Sequence, residues 1–170
     1  TLTPFQLPDD YRSDKFKVYE YTNSSNKFIN AISSIFKVRK LVNQIKPDFI
    51  HCHYIGINGV VSLLSGAKKL VSTAWGSDIV NNKNSFVWSK VIKLILNKSE
   101  LITCDSDHMK ASIEGFGIDS SKVVINNFGV DTKKFTPKEI DYELRRKFAP
   151  DETRIVISLR NHDPVYDIQT

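Results

Sequence analysis

Two spacings of apolar residues alternate along this chain. Over residues 28–45 the set Phe28, Ile29, Ile32, Ile35, Phe36, Leu41, Val42 and Ile45 recurs every three or four positions, with Lys37, Arg39, Lys40 and Lys46 largely off that stripe. That period predicts a long amphipathic helix, which Pro47 ends. Short apolar runs then follow at 48–53, 70–74, 101–104 and 123–125. The run at 70–74 shows no polar alternation, so it reads as a strand buried on both faces of a parallel sheet. Helical patterns separate these runs, from Gly56 to about Ser65, over 86–98 and over 107–115. Strand and helix therefore alternate without an internal repeat, the signature of a parallel sheet with helices on both faces.

The two ends of the chain have a different character. Residues 1–14 read as loop, 15–22 as an alternating strand, and 23–26 (Asn-Ser-Ser-Asn) as turn and helix-cap chemistry. Past Asp131 the segment 133–141 is polar and holds a proline, as an interdomain linker does. Residues 142–148 suit one or two helical turns, and 153–159 form a new apolar strand. One strand cannot bury a core, so residues from about 142 read as the start of a second domain.

Residues 69–80 organise the rest, because their strand runs straight into Trp75-Gly76-Ser77-Asp78. In an open α/β sheet ligands bind beyond the carboxyl ends of the strands, where loops line a crevice. Gly76 permits a tight turn or a close approach, while Ser77 and Asp78 offer a hydroxyl and a carboxylate. The same three residues also suit a turn with a helix cap. If Asp78 lines the crevice, Asp78→Ala cuts turnover with little loss of stability; equal loss of both marks a cap or core role.

Composition narrows the class. Hydrophobic residues make up 41% and charged residues 25% of the 170, which suits one globular domain or one domain plus part of another, and no apolar run has the length of a membrane span. Cys52 and Cys104 each sit in an expected strand, so a disulfide framework is not expected and a cytoplasmic, reducing compartment is. The chain opens Thr-Leu-Thr-Pro, as one lacking its beginning would. The net charge of +5 is concentrated in residues 26–98, where 11 Lys and Arg face only Asp48 and Asp78, a balance of +9. Such a segment favours anionic partners such as phospholipid headgroups, lipid-linked sugar phosphates or nucleic acid.

Several clusters invite a chemical reading. His51 and His53 share one face of their strand, but no third or fourth ligand stands at a metal spacing, so no metal is expected. His53, at the strand's carboxyl end, is placed to hydrogen-bond a substrate hydroxyl or phosphate, or to be satisfied by local backbone. Asp105-Ser106-Asp107 directly precedes a helix, and capping explains it better than ion binding.

Three segments, taken in order, carry a family resemblance. They are Lys46-Pro-Asp-Phe-Ile-His-Cys-His53, Trp75-Gly-Ser-Asp78, and Asn126-Asn-Phe-Gly-Val-Asp131 followed by Phe135 and Pro137. Together they resemble the N-terminal domain of glycosyltransferase family 4, the retaining enzymes of the GT-B fold, over roughly residues 40–160. The resemblance implies a partial Rossmann-like acceptor-side domain at 1–135, a linker and short helix at 136–150, and the first strand of a nucleotide-sugar-binding domain at 151–170. It implies transfer of a sugar from a nucleotide-sugar to a glycan or lipid-linked acceptor, as in bacterial surface polysaccharide or glycolipid synthesis, without cofactor or required metal and without nucleic acid. His53, Trp75, Gly76, Ser77, Asp78, Gly129 and Asp131 would serve the acceptor and sugar side. Arg160 would hold the donor phosphates, where a guanidinium pairs well with phosphate oxygens.

Departures from the family pattern bear on the chemistry. Trp75 stands where many members carry a histidine; it can stack on a sugar but moves no proton. Asn127 and Phe128 replace a frequent Pro-Asn, and 162–166 lack the usual lysine beyond Arg160. The acidic pair that handles the sugar diphosphate would lie past residue 170 and the glycine-rich loop before Thr1, so this stretch alone is expected to be inactive. Two rivals remain: a nucleotide-sugar 2-epimerase of the same architecture, and a non-catalytic basic α/β module that binds anionic membrane or nucleic acid. The expected location is the cytoplasm, with peripheral contact at the inner face of the plasma membrane.

Overall fold

Four parallel strands form the sheet that the apolar runs predicted: β3 (Ile50–His53), β4 (Leu70–Thr73), β5 (Leu101–Cys104) and β6 (Val123–Ile125), side by side in that order. The computed structural model describes residues 2–3, 17–20, 27–149 and 154–155. A parallel two-residue pair, β1 (Leu2–Thr3) with β2 (Tyr19–Glu20), stands apart from the larger sheet. β1 corrects the expectation of loop throughout 1–14, since backbone pairing with β2 makes a strand of residues whose apolar content is too short to announce one. The other expectations for 1–16 and 21–26, the strand at 153–159 and the role of Arg160 fall outside the described residues apart from those positions.

The helices begin and end where local chemistry dictates. α1 (Lys27–Ile45) stops at Lys46, whose φ of 49° is left-handed, and Pro47 follows. α2 (Ile57–Leu63) leads to β4, and the four-residue α3 (Ser77–Val80) follows the turn after β4. α4 (Phe86–Lys98) starts at Ser85, whose hydroxyl accepts from Trp88 N at 3.3 Å, and α5 (Asp107–Glu114) starts at Ser106, which accepts from Met109 N at 3.3 Å. Asp105-Ser106-Asp107 is thus a capping segment. A 3-10 turn (Ser120–Lys122) precedes β6.

Connections between parallel neighbours are right-handed, so a sheet whose order steps from β3 to β6 carries its crossover helices on one face. That face supplies the core. Cys52, Leu70, Ile102, Cys104 and Val123 pack there against Ile55, Ile92, Ile95, Leu96 and Ile113. α2 and α4 approach so closely that a Cβ on Gly59 would come 2.8 Å from Ile95 Cδ1, which is why glycine occupies that position. A second cluster, Val38 and Val42 with Val61, fastens α1 onto α2. The opposite face of the sheet presents His51, His53, Val71, Thr73, Leu101, Thr103 and Val124, following the alternation of side chains and the observed register. The architecture is an α/β, Rossmann-like parallel sheet; among the described residues its crossover helices lie on one face rather than on both as expected, because the strand order advances in a single direction.

The chain divides into two compact units, Thr1–Phe128 and Gly129–Thr170. The second contains α6 (Tyr142–Phe148), capped by Asp141, whose Oδ1 accepts from Glu143 N and Leu144 N at 3.0 and 2.9 Å.

Candidate functional site

Beyond the carboxyl ends of β3 and β4, two short loops are bound together by one side chain. Asp78 is wholly buried; its Oδ2 accepts from Ile55 N at 2.7 Å and its Oδ1 from Trp75 N at 3.0 Å. Both oxygens are therefore occupied by backbone donors that the turns leave without a strand partner. Gly76, at φ 110°, takes a conformation that L side chains rarely adopt and so lets the chain double back into α3. Tyr54 also lies in the left-handed region, at φ 70°, and its hydroxyl meets Ser77 Oγ at 3.2 Å. Gly76 stands at the start of α3 without a side-chain cap bond, so the carboxyl group of Asp78 ties loop to loop rather than capping its own helix.

This frame presents a row of rings. His51 and His53 lie with ring centroids 4.2 Å apart, and His53 and Trp75 5.9 Å apart. Trp75 and Phe128 stack at 4.9 Å with only 18° between planes. The stack reaches across the end of β5, since Trp75 follows β4 and Phe128 follows β6. Trp75 is 47% and Phe128 63% exposed, so the row is an open ledge with aromatic faces available to a ligand. Beside it, α1, β3 and α2 enclose a groove of about 630 Å³ lined by Val38, Val42, Ile50, His51 and His53 among others.

Behind the ledge the side chains are linked across the sheet. His51 Nε2 shares a hydrogen bond of 2.7 Å with Thr73 Oγ1, which in turn meets Thr103 Oγ1 at 2.7 Å. Partial burial lowers the His51 pKa below its ordinary 6.5, and the neighbouring His53 adds to the shift. A base held neutral in the fold takes up a proton on unfolding as the pH drops below its ordinary value. The stability it contributes is thus complete above about pH 6.5 and is lost progressively below it. The unfolding midpoint should fall as the pH drops below about 6.5, and His51→Gln, scanned by circular dichroism, should flatten part of that fall; an unchanged slope would contradict this role of His51.

Neither thiol is suited to act as a nucleophile. Both cysteines are buried and free, and burial pushes the Cys52 thiol up to about 11 and raises that of Cys104. Among the described residues no group of three or more His, Cys, Asp and Glu side chains is gathered to hold a metal ion.

Of the residues singled out by sequence, His53, Trp75, Gly76, Ser77 and Asp78 share this edge, with Asp78 beneath the surface and the others around it. Gly129 and Asp131 belong to the second unit. There Asp131 Oδ1 accepts from Lys133 N and Lys134 N at 3.0 and 3.1 Å, and nothing lies within 4 Å of a Cβ built on Gly129. Phe128, Tyr54, Thr73 and Thr103 were not anticipated as part of the site. A parallel register could have suggested the Thr73 and Thr103 pair, but no sequence signal foretells that the loop after β6 folds its phenylalanine onto Trp75.

No curated protein matches the chain. Among solved structures, the UDP-N-acetylglucosamine 2-epimerase from Rickettsia bellii is similar, at 12% identity with a TM-score of 0.49, over 69% of this chain and 30% of that one. The present chain thus spans less than a third of that protein. Residues 3–106 match a family model described as glycosyl transferase 4-like. The matched stretch takes in β3, β4 and β5 with His53, Trp75 and the buried Asp78, and at more than half of the sequence it establishes that the chain belongs to the glycosyl transferase 4-like family.

Proposed function

We propose that this chain forms the acceptor side of a retaining glycosyltransferase that moves a sugar from a nucleotide-sugar to a glycan or lipid-linked acceptor. The observation that carries the reading is the exposed ledge of His53, Trp75 and Phe128 at the carboxyl edge of the sheet. Sugars present C–H-rich faces and a rim of hydroxyls. A stacked indole and phenyl pair offers an apolar plane for the former, and the imidazole of His53 a hydrogen-bonding group for the latter. The ledge itself binds and orients. Trp75 cannot take or give a proton and the Asp78 oxygens are already engaged, so the imidazole of His53 is the one group of this set able to move one.

The main lever on the reaction would then be electrostatic stabilisation of the departing nucleoside diphosphate, with Arg160 as one contributor. Gly129 and Asp131 would shape the loop that leads toward the donor side. Neither a cofactor nor a metal is assigned to the reaction, the reaction would occur on the cytoplasmic side, and the products would enter surface polysaccharide or glycolipid.

The test is acceptor dependence. The whole protein is incubated with uridine-, guanosine- and adenosine-diphosphate hexoses, with and without oligosaccharide and polyprenyl-phosphate-sugar acceptors. The expected result is nucleoside diphosphate release and a lengthened acceptor with one donor, only when acceptor is present. Isomerised sugar-nucleotide in the absence of acceptor would replace this reading with the epimerase.

A further inference from the structure

Helix α4 buries Ile92, Ile95 and Leu96 completely, yet its outer side is far from polar. Phe86, Val87 and Leu94 are 77%, 64% and 50% exposed. At 100° per residue these three, with Lys90 among them, fall within an arc of about 100°, and Lys93 and Lys98 flank it on either side. The helix has no acidic residue. In water the apolar arc is partly shielded by its own cation, since Lys90 Nζ lies 3.9 Å over the Phe86 ring.

We propose that this face of α4 docks on an anionic lipid bilayer, with Phe86, Val87 and Leu94 entering the headgroup boundary and Lys90, Lys93 and Lys98 contacting lipid phosphates. Charge complementarity selects that occupant. An apolar stripe bordered on both sides by lysines, with no carboxylate on the helix, matches a surface that is negative over apolar, and lysine stems are long enough to reach up to the phosphates while the stripe lies lower. On docking, Lys90 would exchange the Phe86 ring for a phosphate and free the ring to insert.

The placement has a consequence for the site. A crossover helix runs antiparallel to the strands it joins, so the first turn of α4, with Phe86 and Val87, lies at the same carboxyl edge as Trp75. A docked α4 holds that edge next to the bilayer surface. The inference stands independently of the sugar-transfer reading, and either can fail alone.

Flotation of the whole protein with phosphatidylcholine vesicles containing ~30 mol% phosphatidylglycerol, and with phosphatidylcholine alone, tests it. Binding is expected to the anionic vesicles only. Lys90→Gln, Lys93→Gln and Lys98→Gln together should weaken it ~100-fold, and Phe86→Ser with Val87→Ser at least ~10-fold. These side chains are exposed, so both variants should keep the parent's circular dichroism and unfolding midpoint, which is measured alongside. Equal binding to neutral vesicles, undiminished binding by either variant, or a dimer that dissociates when Phe86 and Val87 are changed would overturn the proposal, the last assigning the face to a second copy of the chain.

Discussion

Asp78→Ala should lower the stability of the sheet-bearing unit by about 3–5 kcal/mol and depress the unfolding midpoint by roughly 10–15 °C. The magnitude follows from what the change leaves behind. Ile55 N and Trp75 N both lose a carboxylate acceptor, and each buried N–H without a partner costs about 1–3 kcal/mol. The left-handed backbone at Tyr54 loses a restraint in the same step, because Ile55, next in the chain, is one of the two anchoring points. Asp78→Asn should fall between, since an amide oxygen can accept one of the two bonds while its NH2 meets the other donor head-on. Denaturant titration of the purified variants checks this. Turnover lost at unchanged stability would mean that Asp78 acts on a ligand, one of the two roles the sequence allows, and that the buried geometry is not its working state.

Trp75→Ala should show the reverse pattern, with transfer reduced about 30-fold in kcat/KM and the unfolding midpoint barely moved. The indole is nearly half exposed and its partners are rings at the surface, so its removal opens no cavity in the core. A sugar stacked on the Trp75 and Phe128 pair would lose about 2 kcal/mol of contact, and each 1.36 kcal/mol is a factor of ten in rate. Trp75→Phe retains an aromatic plane and should recover most of the activity. Steady-state kinetics with the donor and acceptor identified by the incubation described above give the numbers. If the phenylalanine variant is as damaged as the alanine variant, the indole N–H rather than the ring face is what matters.

Which parts of this site could be read beforehand follows from what sets them. The strands at Ile50–His53, Leu70–Thr73, Leu101–Cys104 and Val123–Ile125 were legible because short apolar runs bounded by turn residues admit few other solutions. Ser106 was legible as a cap because a hydroxyl before a helical period has a local partner in the helix. Asp78 shows where such reasoning stops. The residues beside it allow a cap, a ligand contact or a tie between loops, and only the packing of Ile55 against the turn after β4 decides among them. Tyr54 is illegible for a related reason, since a non-glycine residue at positive φ is held there by its surroundings. The stack of Phe128 on Trp75 depends on two loops from strands that are not neighbours, a long-range contact that no periodicity encodes.

The ledge is the centre of this account, and the affinity of the whole protein for its acceptor sugar, measured at equilibrium by calorimetry in parent, Trp75→Ala and Trp75→Phe forms, tests it most directly. Affinity should collapse in the alanine form and persist in the phenylalanine form, and all three forms should unfold at the same temperature. Acceptor binding with undiminished affinity when Trp75 is alanine would contradict it.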